Sequence, residues 1–151
     1  LNNGGKFPAE FDTYQEVKED DFVFCLFDVE ETPRTVGLSK YNGMITGAYT
    51  VFSTNKMNND YLYYFYLNLD MRKRLRPLYK GLRNTISKDS FLAFKTFVPP
   101  EKEQNQIVEH IKEQTAKIDK TIELQKNYIE KLKEYKASLI DSVVTGKVKV
   151  S

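Results

Sequence analysis

Residues 101–145 run for 45 positions without a glycine or a proline. An uninterrupted stretch of that length with periodic apolar positions folds as one long helix. Numbering heptads from Val108 puts Val108, Thr115, Ile122, Ile129, Lys136 and Val143 at position a, and Ile111, Ile118, Gln125, Leu132 and Leu139 at position d. Eight of these eleven are aliphatic, the signature of a coiled-coil seam. Lys112, Asp119, Lys126 and Lys133 stand on its flank, and Gly146 follows where a helix commonly stops. At about 1.5 Å per residue the rod is roughly 60 Å long. A domain of about 100 residues has a radius of gyration of only about 13 Å, so much of the rod must overhang it.

An overhanging stripe needs a partner. With Ile107 and Ile140 it comprises ten aliphatic side chains, each worth roughly 1.5–3 kcal/mol on burial, or at least about 15 kcal/mol before association costs. The predicted interface is Val108, Ile111, Ile118, Ile122, Gln125, Ile129, Leu132, Leu139 and Val143. Gln125 lies near mid-helix. In an antiparallel pair with a copy of itself it would meet its mate near the dyad and help fix register, at some cost in stability.

Upstream, the pattern changes. "NNGGKFP" is turn-rich, punctuated by Gly4, Gly5 and Pro8, and "DFVFCLFDV" (Asp21 to Val29) reads as a strand buried on both faces. "RTVGLSKYNGMITGAYTVFS" predicts a β-hairpin: Val36 and Leu38 enter, Asn42-Gly43 turns with φ > 0, and Ile45 to Phe52 returns. Asn59 or Asp60 can cap a helix whose Leu62, Phe65, Tyr66 and Leu69 share a face, ending near Leu75 because Pro77 cannot sit inside it. A glycine turn, a short helix near Asp89 to Ala93 and a strand from Lys95 to Val98 follow. Strands, then helices, then a strand give an α+β fold: a twisted, mainly antiparallel sheet with short helices, then one long coiled-coil helix. The expected domains are 1–100, a spacer helix over 101–145, and a tail over 146–151.

The net charge of +2 conceals a strong asymmetry. Residues 1–36 carry −6, residues 37–100 carry +7, and residues 101–151 carry +1. Local potential, not the total, governs nucleic-acid binding. Arg72, Lys73, Arg74, Arg76, Lys80 and Arg83 fall within twelve positions. A helix C-terminus accounts for two or three cations there, not six. Six phosphate contacts would make binding strongly salt-dependent. Lys40, Tyr41 and Asn42 stand at the expected hairpin tip, a shape that can enter a major groove.

Catalytic and cofactor chemistry find no purchase. Cys25, the only cysteine, lies in an apolar run and suits a small core residue; it also excludes an internal disulfide, which fits a reducing cytoplasm. His110, the only histidine, sits among charged helix residues, so no zinc site is expected. Glycine-rich phosphate loops are absent, and Glu19, Asp20 and Asp21 read as a charged turn before a strand rather than a metal site. No enzyme, cofactor or metal is expected. No run of 18 apolar residues occurs, and Leu1 is not Met, so a processing edge is expected there.

In order along the chain, "VGLSKYNGMITGAYTVF", "YLYYFYLNLDMRKRL", "GLRNTISKDSFLAFKTFVPPEKEQNQIVEHI" and "KIDKTIELQKNYIEKLKEYKASLIDSVVTGKVKV" resemble a half-repeat of the specificity subunit of a type I restriction-modification enzyme. The Pro-Pro through Glu-Gln run joined to the Val-Thr-Gly ending is the most specific part. The resemblance implies a target-recognition domain reading half of a bipartite target in double-stranded DNA, lacking some thirty N-terminal residues. The helix then serves as spacer to a second recognition domain. It also implies a non-catalytic cytoplasmic subunit that holds modification subunits, which methylate adenine, and through the complex restriction subunits. Its mate would be a second specificity repeat or, in a homodimer, a second copy, packed antiparallel. Arg72, Arg74, Lys80 and Arg83 are the expected phosphate contacts, with Asn84 beside Arg83 in the matched Gly-x-Arg turn. Lys40, Tyr41 and Asn42 are the expected base contacts. Arg83 could equally pair with the acidic first third. The competing reading is a coiled-coil assembly module that binds only protein, which leaves the +7 middle third unexplained.

Overall fold

A computed structural model describes residues 11–149 apart from Asn55; the turn expected in "NNGGKFP" lies outside them. The elements are β1 (Tyr14–Val17), β2 (Phe22–Phe24), β3 (Val36–Leu38), β4 (Gly43–Thr46), β5 (Thr50–Phe52), α1 (Asn59–Met71), a 3₁₀ turn (Arg76–Leu78), α2 (Lys88–Leu92) and α3 (Glu101–Val144). This is an α+β fold with antiparallel strands, as expected, but in two sheets rather than one: β1 with β4, and β3-β2-β5.

The two sheets are related by one register. Tyr14 to Val17 pair with Thr46 to Gly43, and Phe22 to Phe24 pair with Leu38 to Val36. Four residues intervene on each side, 18–21 and 39–42, so the ladders are two ends of one ribbon interrupted in the middle. The expected hairpin about Asn42-Gly43 is therefore corrected. Neither residue is among those with positive φ, and β4 returns along β1, not β3. The Asn42 side chain instead accepts the Glu19 N–H through Oδ1 at 2.8 Å, closing the interruption. Asp20 takes the positive φ (68°), and its N–H donates to Ser39 O. The charged turn expected at Glu19 to Asp21 is thus present.

The core gathers on Phe24. Its ring lies 4.8 Å from Phe91, 4.9 Å from Tyr66 and 5.9 Å from Phe52, while Phe22, Leu26, Val29, Val36, Leu69, Leu75 and Ile86 complete the buried cluster. Cys25 is buried beside it, as expected. The Asn58 side chain caps α1, accepting from Tyr61 N, and Leu62, Phe65, Tyr66 and Leu69 face the core. The helix stops at Met71, four residues before the expected Leu75, without proline. Lys73 (φ 47°) is in the left-handed conformation. Its N–H donates to Asp70 O and that of Arg74 to Leu69 O, the paired closure that usually recruits glycine. Lysine is tolerated because its Nζ is held by Val29 O (3.0 Å), Thr32 O (3.1 Å) and Asp70 Oδ1 (3.1 Å).

The strand expected over Lys95 to Val98 does not form. Those β-prone residues have no ladder partner among the described residues, and Phe97 is almost wholly exposed (98 %). α2 forms where expected, capped by Ser87. The chain divides into two compact units, Leu1–Asn105 and Gln106–Ser151, rather than at residue 100. Gln104 explains the shift. Only 3 % exposed, it accepts from Asn58 N at 3.0 Å and donates to Pro99 O at 2.9 Å, while Asn58 Nδ2 donates to Asn105 Oδ1 at 2.7 Å. The first turn of α3 thereby joins the globular unit. Among the described residues no helix is long and apolar enough to cross a membrane.

Replacing Asp70 by Ala strands a partly buried ammonium and the buried Thr35 N–H. We expect a loss of about 2–4 kcal/mol. Urea unfolding should show it as a lowered midpoint with unchanged slope.

Candidate functional site

The six clustered cations divide into two sets. Arg83 lays its guanidinium along Asp28, with Nε on Oδ1 at 3.0 Å and a second, short bond from its terminal nitrogen to Oδ2; the same group lies 5.6 Å from the Phe27 ring centre. Arg76 grips Glu30 in the same forked manner, with Nε on Oε2 at 3.0 Å. Lys73 is the helix closure described above. Asn84, in the left-handed region (φ 46°), donates from Nδ2 to Glu31 Oε1 at 3.3 Å. Arg83 thus forms the ion pair with the acidic first third while its side chain stays 69 % exposed, and Asn84 bonds along the same seam.

Arg72, Arg74 and Lys80 remain. All three are exposed, and no acidic group among the described residues pairs with them. Arg72 caps α1, and Lys80 closes a turn through reciprocal backbone bonds with Thr85 at 2.9 and 3.0 Å. These three keep the freedom that a phosphate contact requires.

A second group surrounds the ribbon's interruption. Lys40, Tyr41 and Asn42 are exposed, Tyr41 by 80 %, but they occupy the middle of a ribbon and not a hairpin tip. With Oδ1 of Asn42 taken by Glu19, Lys40 and Tyr41 are the freer pair. Beside them runs a groove of about 580 Å³ with Arg34, Leu38 and Lys40 on the β3 side, Asp60, Tyr63 and Tyr64 on the α1 side, and Glu19 and Asp20 of the charged turn also lining it. The helix lies along β3. Asn59 near its start donates to Asp20 O (3.4 Å), and Asp70 near its end accepts from Thr35 N (2.8 Å). The rings of Tyr63 and Tyr64 sit 5.7 Å apart, tilted by 53°. Aromatic faces beside exposed cations suit stacking and phosphate contact, and the carboxylates of Glu19, Asp20 and Asp60 in the same groove oppose the second. Sequence reasoning missed Arg34, Tyr63 and Tyr64. The usable signal was in "YLYYFY": once Leu62, Phe65 and Tyr66 face the core, the intervening tyrosines flank it.

In the second unit, α3 is one helix from Glu101 to Val144, about 66 Å by its rise per residue. Ile118, Ile122, Ile129, Leu132 and Leu139 of the expected seam are between 46 % and 58 % exposed, with Gln125 exposed among them. Val108 is buried, and Ile111 and Val143 are half-buried. Leu124, Tyr128 and Tyr135, which the heptad reading left out, are exposed on the adjoining c and g positions, making the apolar surface wider than the a/d seam. Gly146 (φ 73°) ends the helix as expected.

No protein-family model matches the chain, and no curated protein is found to be similar to it.

Hydrogen bonding from Arg83 is the main cause holding the Asp28 carboxyl below its ordinary value, and Arg76 does the same for Glu30; desolvation opposes both. A carboxylate depressed on folding contributes stability above its ordinary range, and that contribution disappears as pH falls through the lowered value. Carboxyl-carbon NMR titration should find both residues protonating below ordinary Asp and Glu. Arg83→Gln should return Asp28 to the usual range and leave Glu30 where it was.

Proposed function

We propose that this chain is a DNA-recognition module of a type I restriction-modification specificity subunit. It reads half of a bipartite target in double-stranded DNA and pairs through α3, antiparallel, with a second repeat or a second copy. It has no catalytic role of its own, and serves a modification subunit and, through the complex, a restriction subunit. The observation that carries this reading is the set of cations left without acidic partners: Arg72, Arg74 and Lys80, together with Lys40 and Arg34 at the tyrosine-lined groove. Arg and Lys in solvent at the end of a helix and along a strand supply phosphate contacts. Lys40 and Tyr41 are the residues best exposed to reach base edges. The motif order that resembles the family supports the same assignment, as does the wet apolar seam of α3, too large to leave uncovered.

One observation favours the second reading, an assembly module without DNA binding of its own. Asp70, Glu30 and Asp28 take up three of the six clustered cations. Salt separates the two. Fluorescence anisotropy on random duplex should show affinity falling steeply as salt rises, and Arg74→Ala or Lys80→Ala should each flatten the log–log slope by about one. Arg83→Ala should flatten it less, because its charge is already answered. A chain that ignores duplex at every salt concentration favours the second reading.

The helix makes its own prediction. Sedimentation should report a dimer that Ile122→Glu together with Ile129→Glu converts to monomer without loss of the globular unit's fold. A wild-type monomer at concentrations of about 10⁻⁵ M, where a seam of this size should be filled, would rule out self-pairing.

A further inference from the structure

The turn Lys80 to Thr85 carries one side chain that nothing in the fold uses. Leu82 is fully exposed at its apex. Every neighbour has a structural task. Gly81 (φ 69°) and Asn84 (φ 46°) supply the left-handed positions, and Lys80 and Thr85 exchange backbone bonds. Arg83 holds Asp28, and Asn84 holds Glu31. The turn is also bolted to the chain beneath it: Asp28 N donates to Arg83 O and Ile86 N to Leu26 O, both at 2.8 Å, with Ile86 itself in the core. Position 82 has no special backbone requirement, so any polar residue would serve folding there. A rigid support with a bare leucine on its tip, and the unpaired ammonium of Lys80 at its base, is the form of an apolar wedge offered to a polyanion.

We propose that Leu82 enters the minor groove of bound duplex DNA and partly unstacks a base step, with Lys80 on the adjacent phosphate. This rests on the DNA-recognition reading above. Wedges of this kind use Phe, Leu, Ile, Met or Pro and kink the duplex at the step they open. Rigidity is what makes leucine effective here, since a floppy turn would fold the side chain away before it could displace stacked bases. Two of the three acids below the turn are matched, Asp28 by Arg83 and Glu30 by Arg76; Glu31 receives only the neutral Asn84 amide and keeps its charge, which Lys80 offsets at the base of the turn.

Sealing a nicked plasmid with ligase in the presence of the protein reads unstacking without knowledge of the target, because an opened step changes the linking number trapped on closure. Wild type should shift the topoisomer distribution. Leu82→Ser should lose the shift while its salt slope in anisotropy stays unchanged, and Leu82→Phe should keep it. The serine variant removes no contact, so an unaltered circular-dichroism spectrum is expected. Retention of the full shift by Leu82→Ser overturns the wedge, and is the result expected if Leu82 instead anchors a protein. Wild type that binds duplex without shifting the plasmid overturns the wedge and leaves DNA recognition standing; wild type that never binds removes both.

Discussion

Asp70 is 3 % exposed, and its two oxygens face different parts of the chain: Oδ2 takes the Thr35 N–H and Oδ1 the Lys73 ammonium. A carboxylate so deep in a protein survives only when its acceptor sites are filled. Filling them orders three things together. The β2–β3 connection is drawn onto the end of α1 through Val29, Thr32 and Thr35. Lys73 is held in a left-handed conformation that ends the helix and turns Leu75 into the core. The helix is laid along β3, which creates the groove bounded by Arg34, Lys40, Tyr63 and Tyr64.

The ion pairs show how a basic cluster can be mostly architecture. Residues 28–31 and 70–84 are distant in sequence, yet Arg76 with Glu30, Arg83 with Asp28 and Asn84 with Glu31 tie them along one seam. Exposed pairs like these contribute little stability individually. Their larger effect is positional: they fix the turn that carries Leu82 and decide which cations stay available. Counting six cations within twelve positions doubles the number left without an acidic partner, because charge already answered by a carboxylate offers a ligand less.

α3 obeys a different balance. Its backbone satisfies itself, and a helix of 44 residues with good helix formers completes its hydrogen-bond ladder without a tertiary partner. What it lacks is cover for Ile118, Ile122, Ile129, Leu132 and Leu139, and for the second row at Leu124, Tyr128 and Tyr135. The first turn is tied into the globular unit through the buried amide of Gln104. That residue gives the "Pro-Pro … Glu-Gln" run a physical meaning: its glutamine bonds the cap of α1 and the carbonyl of Pro99.

Helices were legible because their determinants are local. The apolar period and the closing Gly146 act within a turn or two, and α1, α2 and α3 follow such signals, as does the α+β class, although Asn58 caps α1 in place of the expected Asn59 or Asp60. Strand pairing was not. Asn42-Gly43 has the chemistry of a tight hairpin, yet the ribbon's register sets four residues against four there, and Asn42 does better by closing that gap with its side chain. Lys95 to Val98 has strand-forming residues and no strand, because a ladder needs a neighbour that no single segment can supply. For the same reason the site was half visible. Composition and order determined that cations, tyrosines and a long apolar seam exist; only the tertiary structure decided which cations are already paired and which tyrosines line the groove, since a charge's availability depends on what stands a few ångströms away in space and not along the chain.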